Sequence, residues 1–233
     1  MRSSIFGSDG EWKVLLTVLA VLAAAEGLLR AKEASLSIDL LHIRDIPKIA
    51  RQLAEQPRPR ILFIGNSLTR EGIDELVLEQ ELRDRGCPAS VGKIFPDNTQ
   101  IAEWYYAFKR HFVNAGRSPD FLILSCPSRQ MRDQAPFSVY GLGRHWIDTR
   151  DVAEVLRADV TAFGDQVDFF LSRLSVTFAN RFRISGRILV NVVPGHERLA
   201  HQVNRMRNEM LQEVQAGRGE AMPTYKRLHR LAA

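Results

Sequence analysis

The feature that most constrains this chain is the run Ile61-Leu62-Phe63-Ile64, apolar without interruption and followed at once by Gly65-Asn66-Ser67. A continuous apolar run of β-formers bounded by glycine predicts a strand covered on both faces, as in a parallel sheet. Residues 71–85 are compatible with a helix, so the order is strand, turn, helix. The turn then falls at the carboxyl end of the strand, where open α/β sheets carry their sites. Upstream, Gln56-Pro57-Arg58-Pro59 marks a boundary, because a residue that precedes proline is pushed out of the α region. The domain with the chemistry is expected to begin at Arg60.

Two further units repeat the plan. Residues 89–95 predict a second strand, the polar turn Pro96-Asp97-Asn98-Thr99 follows, and residues 101–112 are helix-like. Trp104, Tyr105, Tyr106, Phe108 and Phe112 on that helix pack on the sheet or line an acyl or sugar groove. Ser118-Pro119-Asp120 introduces a third strand over 121–126. Beyond it, residues 165–193 have amphipathic helical spacing, with 188–193 readable as strand or helix, and 197–215 are helical.

With 233 residues, 45% of them apolar and 25% charged, the chain has enough material for one globular domain plus an appendage. The net charge of +5 is uneven, since residues 181–230 hold ten Lys/Arg against four Glu. A basic third of this kind faces an anionic polymer or lipid, or is a solvated helical surface; nucleic acid is not expected as a partner. Cys87 and Cys126 are too few and too far apart for a disulfide scaffold or a metal framework. No H-E-x-x-H and no G-x-x-x-x-G-K-[ST] occurs, and Gly141-Leu142-Gly143 has Trp146 where a dinucleotide fingerprint needs its third glycine. No metal or cofactor is therefore expected.

Residues 14–25 are apolar except for Thr17, and the segment extends to Leu29 through Glu26. That is short for a span, which needs roughly 20 residues. An uncleaved anchor, a signal peptide cut near Ala23-Ala24-Ala25, and a core helix all fit. The expected division is an anchor or signal segment over 1–30, a helical linker over 31–59 in which Pro47 breaks or starts a helix, and the domain from residue 60 onward.

At Ile64-Gly65-Asn66-Ser67-Leu68-Thr69-Arg70-Glu71-Gly72 the sequence resembles the first block of the SGNH (GDSL-like) hydrolase family, G-D-S-L or G-N-S-L directly after a strand. The resemblance implies a three-layer flavodoxin-like α/β fold, a parallel sheet flanked by helices, with Ser67 as the nucleophile. A serine at such a turn needs a base to take its proton, and it otherwise serves as a helix cap. Asn98 stands nearest to the family's second-block oxyanion donor. The third block's asparagine is missing from Pro127-Ser128-Arg129-Gln130-Met131-Arg132-Asp133, where Ser128 or Gln130 are the substitute donors.

The family's last block, D-x-x-H, has only one match here, Asp39-Leu40-Leu41-His42, which precedes the first strand and is a decoy by position. His196, after Pro194-Gly195, is the substitute base, and the domain is expected to be incomplete at its carboxyl end. The resemblance covers about residues 60–133. Together with the N-terminal segment read as an anchor, it implies a membrane-tethered domain on the periplasmic or extracellular side, acting on ester bonds such as O-acyl groups of a surface polysaccharide or a small ester. The rival expectations are a binding or assembly module that keeps the fold without the base, and a flavodoxin-like domain in which the GNS triplet is coincidence.

Overall fold

The computed structural model describes residues 9–133 and 136–192, together with Gly195, Arg198, Gln202, Arg205 and Arg230. Three parallel strands form the sheet: β1 (Arg60–Gly65) in the centre, β2 (Ser90–Ile94) on one side and β3 (Phe121–Ser125) on the other. The registers are Ile61 opposite Val91 and Ile61 opposite Phe121. All three strands lie within two residues of their expected bounds. Leu62, Ile64 and Ile94 are buried, which accounts for the unbroken apolar run of β1. Phe121 and Ile123 on the outer strand β3 stay exposed.

Helix α1 (Asp9–Lys32) leads by a short 3-10 turn (Glu33–Leu36) into α2 (Ile38–Glu55). Ser37 caps α2 by accepting from the Leu40 N–H at 3.1 Å. Pro47 lies inside α2 and does not end it. The stretch expected as a linker is thus a layer of the domain, since Ile46, Ala50 and Leu53 enter the same core as Leu62 and Ile64.

After β1 come α3 (Ser67–Gly72) and α4 (Glu75–Asp84), two helices where the spacing predicted one. Asp74 makes the break by accepting from the Val77 N–H at 3.1 Å, which starts a new helix. Helix α5 (Ile101–Phe108) follows β2 and passes into a π turn over Lys109–Val113. Trp104, Tyr106 and Phe112 are fully buried and Tyr105 and Phe108 pack against the same core, so the aromatic cluster is packing on the sheet.

The chain beyond β3 is helical. It comprises α6 (Val139–Gly141), a π turn (Leu142–Trp146), α7 (Val152–Ala158), α8 (Phe163–Leu174), α9 (Val176–Ala179) and α10 (Arg181–Val192). Of the two readings left open for residues 188–193, the helical one holds through Val192. A bidentate ion pair between Arg144 and Glu33, with Asn180 donating to Glu33 at 3.0 Å, ties this part to the foot of α1. Most of residues 197–215 lie outside the described residues.

Candidate active site

Strand β1 ends at Gly65, and there the backbone comes so close to its neighbours that only glycine fits. A Cβ at Gly65 would meet Thr69 Oγ1 at 1.9 Å and the Ser125 carbonyl at 2.3 Å. Thr69, fully buried, donates to that same Ser125 oxygen at 2.7 Å, so helix α3 is bolted to the end of β3. This contact draws the turn after β1 toward the turn after β3.

The next residue makes the second link. Asn66 is the N-cap of α3, its Oδ1 accepting from the Leu68 N–H at 2.9 Å, while its Nδ2 donates to Gln130 Oε1 at 2.6 Å. Asn66 is buried. Capping is therefore the work of Asn66 and not of Ser67. Ser67 stands at the first helical position, half-buried, and among the described residues its hydroxyl has no hydrogen-bond partner. The Thr69 and Arg70 N–H groups both go to the Asn66 carbonyl, which leaves the Ser67 N–H as the unengaged donor of this turn among the described residues. Since Gln130 Oε1 accepts from Asn66, its Nε2 is the end free to donate.

On the β2 side, Asn98 takes a left-handed backbone conformation (φ 55°) in the turn after the strand, which asparagine tolerates. It is exposed, and no described contact joins it to Ser67. Ser128 opens the 3-10 turn Ser128–Met131, and the role expected of its side chain lies outside the described residues, as does His196.

Two cationic side chains that the sequence pattern does not single out meet where α3 faces β2. Arg70, one helical turn on from Ser67, pairs with Asp97 at 2.6 Å. Lys93 Nζ donates to the carbonyls of Arg70 and Ile73 at 3.3 and 2.5 Å.

The apparent decoy Asp39-x-x-His42 lands on this same edge. At the start of α2, Asp39 Oδ1 accepts from the Asp97 N–H and His42 Nε2 accepts from the Phe95 N–H, each at 2.9 Å. The His42 ring stacks on Phe95 at 3.8 Å. Burial lowers the His42 pKa to about 4, with Arg70 and Lys93 working in the same direction against Asp45 and Asp97. Burial also raises the Asp39 carboxyl above its ordinary value, as does the charge of Asp97, against the hydrogen bond from the Asp97 N–H and the charge of Arg183. With its Nε2 lone pair already accepting a hydrogen bond, His42 clamps the β2 turn and does not serve as a base. Nothing in the spacing of D-x-x-H distinguishes a clamp from a base; only the contact does.

Among the described residues no histidine or carboxylate hydrogen-bonds to Ser67. His111 and His145 line a cavity of about 370 Å³ at the foot of α1 and α2, along with Arg110 and Arg144. Cys126 is half-buried and its thiol is pushed up to about 11 by burial, while Cys87 is exposed; both are free. No described group of His, Cys, Asp and Glu is arranged to hold a metal ion. The arrangement offers a half-buried serine hydroxyl at a helix start, with its own N–H as a donor suited to an oxyanion, one residue after the Asn66 that holds Gln130.

Helix α1 is, among the described residues, the one helix long and apolar enough to cross a membrane; it lies near the N-terminus, and none of its apolar window is buried against the domain. Compared with protein-family models, with curated proteins and with solved structures, the chain matches none. The chain forms a mixed α/β domain with a three-stranded parallel sheet, helices around it and an apolar N-terminal helix.

Proposed function

We propose that the chain is a membrane-tethered domain of the SGNH (GDSL-like) hydrolase type, with the flavodoxin-like fold of that family and with Ser67 as its nucleophile. Its substrates would be esters, either small ones or O-acyl groups of a cell-surface carbohydrate, which puts the domain on the periplasmic or extracellular side. The observation that carries the reading is the join between the turn after the central strand and the turn after its neighbour, through Asn66 and Gln130 at 2.6 Å, with Ser67 next in the chain. Attack by Ser67 Oγ on the acyl carbonyl would place the oxyanion against the Ser67 N–H and the Gln130 Nε2. The Ser67 proton would pass to solvent. Collapse would break the ester C–O bond and expel the alkoxide, which takes a proton from solvent and leaves as the alcohol. The acyl-serine would then pass its acyl group to water or a sugar hydroxyl and regain the serine hydroxyl.

The second reading, a binding or assembly module that keeps the fold without turnover, draws on a separate observation: no described base reaches the Ser67 hydroxyl. General-base assistance is commonly worth about 100- to 10,000-fold in rate. The hydrolase reading accordingly predicts slow turnover of short-chain p-nitrophenyl esters that disappears in Ser67→Ala. Equal turnover by wild type and Ser67→Ala would remove Ser67 as nucleophile and favour the binding module.

A further inference from the structure

Helix α8 has its amphipathic pattern the wrong way round for a domain surrounded only by water. Phe163, Val167, Phe170, Leu171 and Leu174 are all exposed, Phe163 at 81% and Leu174 at 73%. Their spacing of four, three, one and three residues puts them on one stripe of the helix. The opposite side is satisfied: Phe169 and Ser172 are buried, and Arg173 donates to the Gly143 and Ile147 carbonyls. The stripe is therefore not a core face awaiting its own core.

The end of this stripe is fastened to α1. Arg30 donates to the Leu174 carbonyl at 2.9 Å. Glu26 accepts from the Ser175 hydroxyl at 2.9 Å and from the Val176 N–H at 2.6 Å, which caps α9 directly after α8. From Glu26 onward α1 thus belongs to the domain, and the exposed apolar part runs from Val14 to Ala25. Those 12 residues make a helix of about 18 Å, against a hydrocarbon layer of about 30 Å. The shortfall draws the foot of α1, and with it Leu174 and the stripe, into the bilayer boundary. Exposed Arg30 and Lys32 at that foot suit anionic headgroups.

We propose that α8 lies in the membrane interface, its stripe in the acyl boundary beside the point where α1 leaves the bilayer, so that the domain is seated on the lipid and not merely leashed to it. This rests on the reading of α1 as a tether, and the test separates the two. In the full chain with Cys87→Ser and Cys126→Ser, spin labels are attached through Leu19→Cys (α1), Phe163→Cys or Phe170→Cys (α8), and Leu76→Cys, an exposed site on α4. The proteins are reconstituted in vesicles of phosphatidylcholine and phosphatidylglycerol, and the accessibility of each label to oxygen and to a water-soluble nickel chelate is measured. The expected result is oxygen-dominated accessibility at 19, 163 and 170 and nickel-dominated accessibility at 76. A lipid-exposed label at 19 with water-exposed labels at 163 and 170 overturns the seating of α8 and leaves the tether standing. Labels at 163 and 170 shielded from both reagents also overturn it, because protein then covers the stripe. A water-exposed label at 19 removes the tether and the inference with it.

Discussion

Asn66 Nδ2 donates to Gln130 Oε1 at 2.6 Å, across 64 positions of sequence, while Asn66 Oδ1 holds the first turn of α3. One buried carboxamide thus fixes the helix start that carries Ser67 and holds the Gln130 side chain by its Oε1. Removing it costs a cap and orphans Gln130 Oε1 together.

Asn66→Ala is expected to lower stability by about 1–2 kcal/mol, the usual worth of a cap, and to abolish any Ser67-dependent turnover. Asn66→Asp keeps the acceptor for the Leu68 N–H, and Gln130 has only to rotate its amide to donate to the new carboxylate. Its thermal midpoint should stay near wild type. Calorimetry of the two variants checks this, and an Asn66→Asp protein as unstable as Asn66→Ala would contradict the role given to the pair.

Much of this turn was legible in the sequence because it is local. An apolar run, a glycine and a polar pair dictate strand, turn and helix whatever lies around them. The division of labour within the pair was not legible, since asparagine and serine are equally good caps and only the partner at Gln130 selects Asn66. The same limit explains Asp39-x-x-His42. Its spacing is visible from the sequence, but its targets, the N–H groups of Asp97 and Phe95, are more than 50 residues away. The break at Asp74 did leave a local signal, an aspartate before a helical run, which the single helix predicted over 71–85 passed over. For α8 the periodicity gives an amphipathic helix, but periodicity does not say which face meets solvent.

Acid should loosen the fold before most carboxylates titrate. Burial lowers the pKa of both His42 and His111 to about 4, so both are neutral in the fold at pH 7. Unfolded, each regains an ordinary pKa near 6.5 and binds protons that the folded chain refuses. Stability from these groups is complete above about pH 6.5 and is lost as pH falls from there toward 4. The thermal midpoint should therefore drop by several degrees across this window, and less in His42→Gln, which keeps an acceptor without the titration. A flat midpoint between pH 7 and 4.5 would contradict the buried, neutral state of these rings.

Leu15, Leu19 and Leu22 are exposed on the free part of α1, so polar replacements there leave the domain's contacts alone. The full chain is expected to stay with membranes through carbonate washing, and the combined variant Leu15→Ser, Leu19→Ser, Leu22→Ser to move to the soluble fraction with an unchanged thermal midpoint. Wild-type chain released by carbonate would show that α1 does not tether the domain.

Ser67, one residue after the Asn66–Gln130 join, is proposed as the group that takes up an acyl or phosphonyl unit. Prolonged exposure of the full chain to excess fluorophosphonate, followed by peptide mass spectrometry, tests it most directly. A single adduct is expected on the peptide containing Ser67, formed slowly because no described base reaches the hydroxyl, absent from Ser67→Ala and slowed further in Gln130→Ala. No adduct at Ser67 after full exposure, or an adduct spread over other serines at the same rate in wild type and Ser67→Ala, would contradict it.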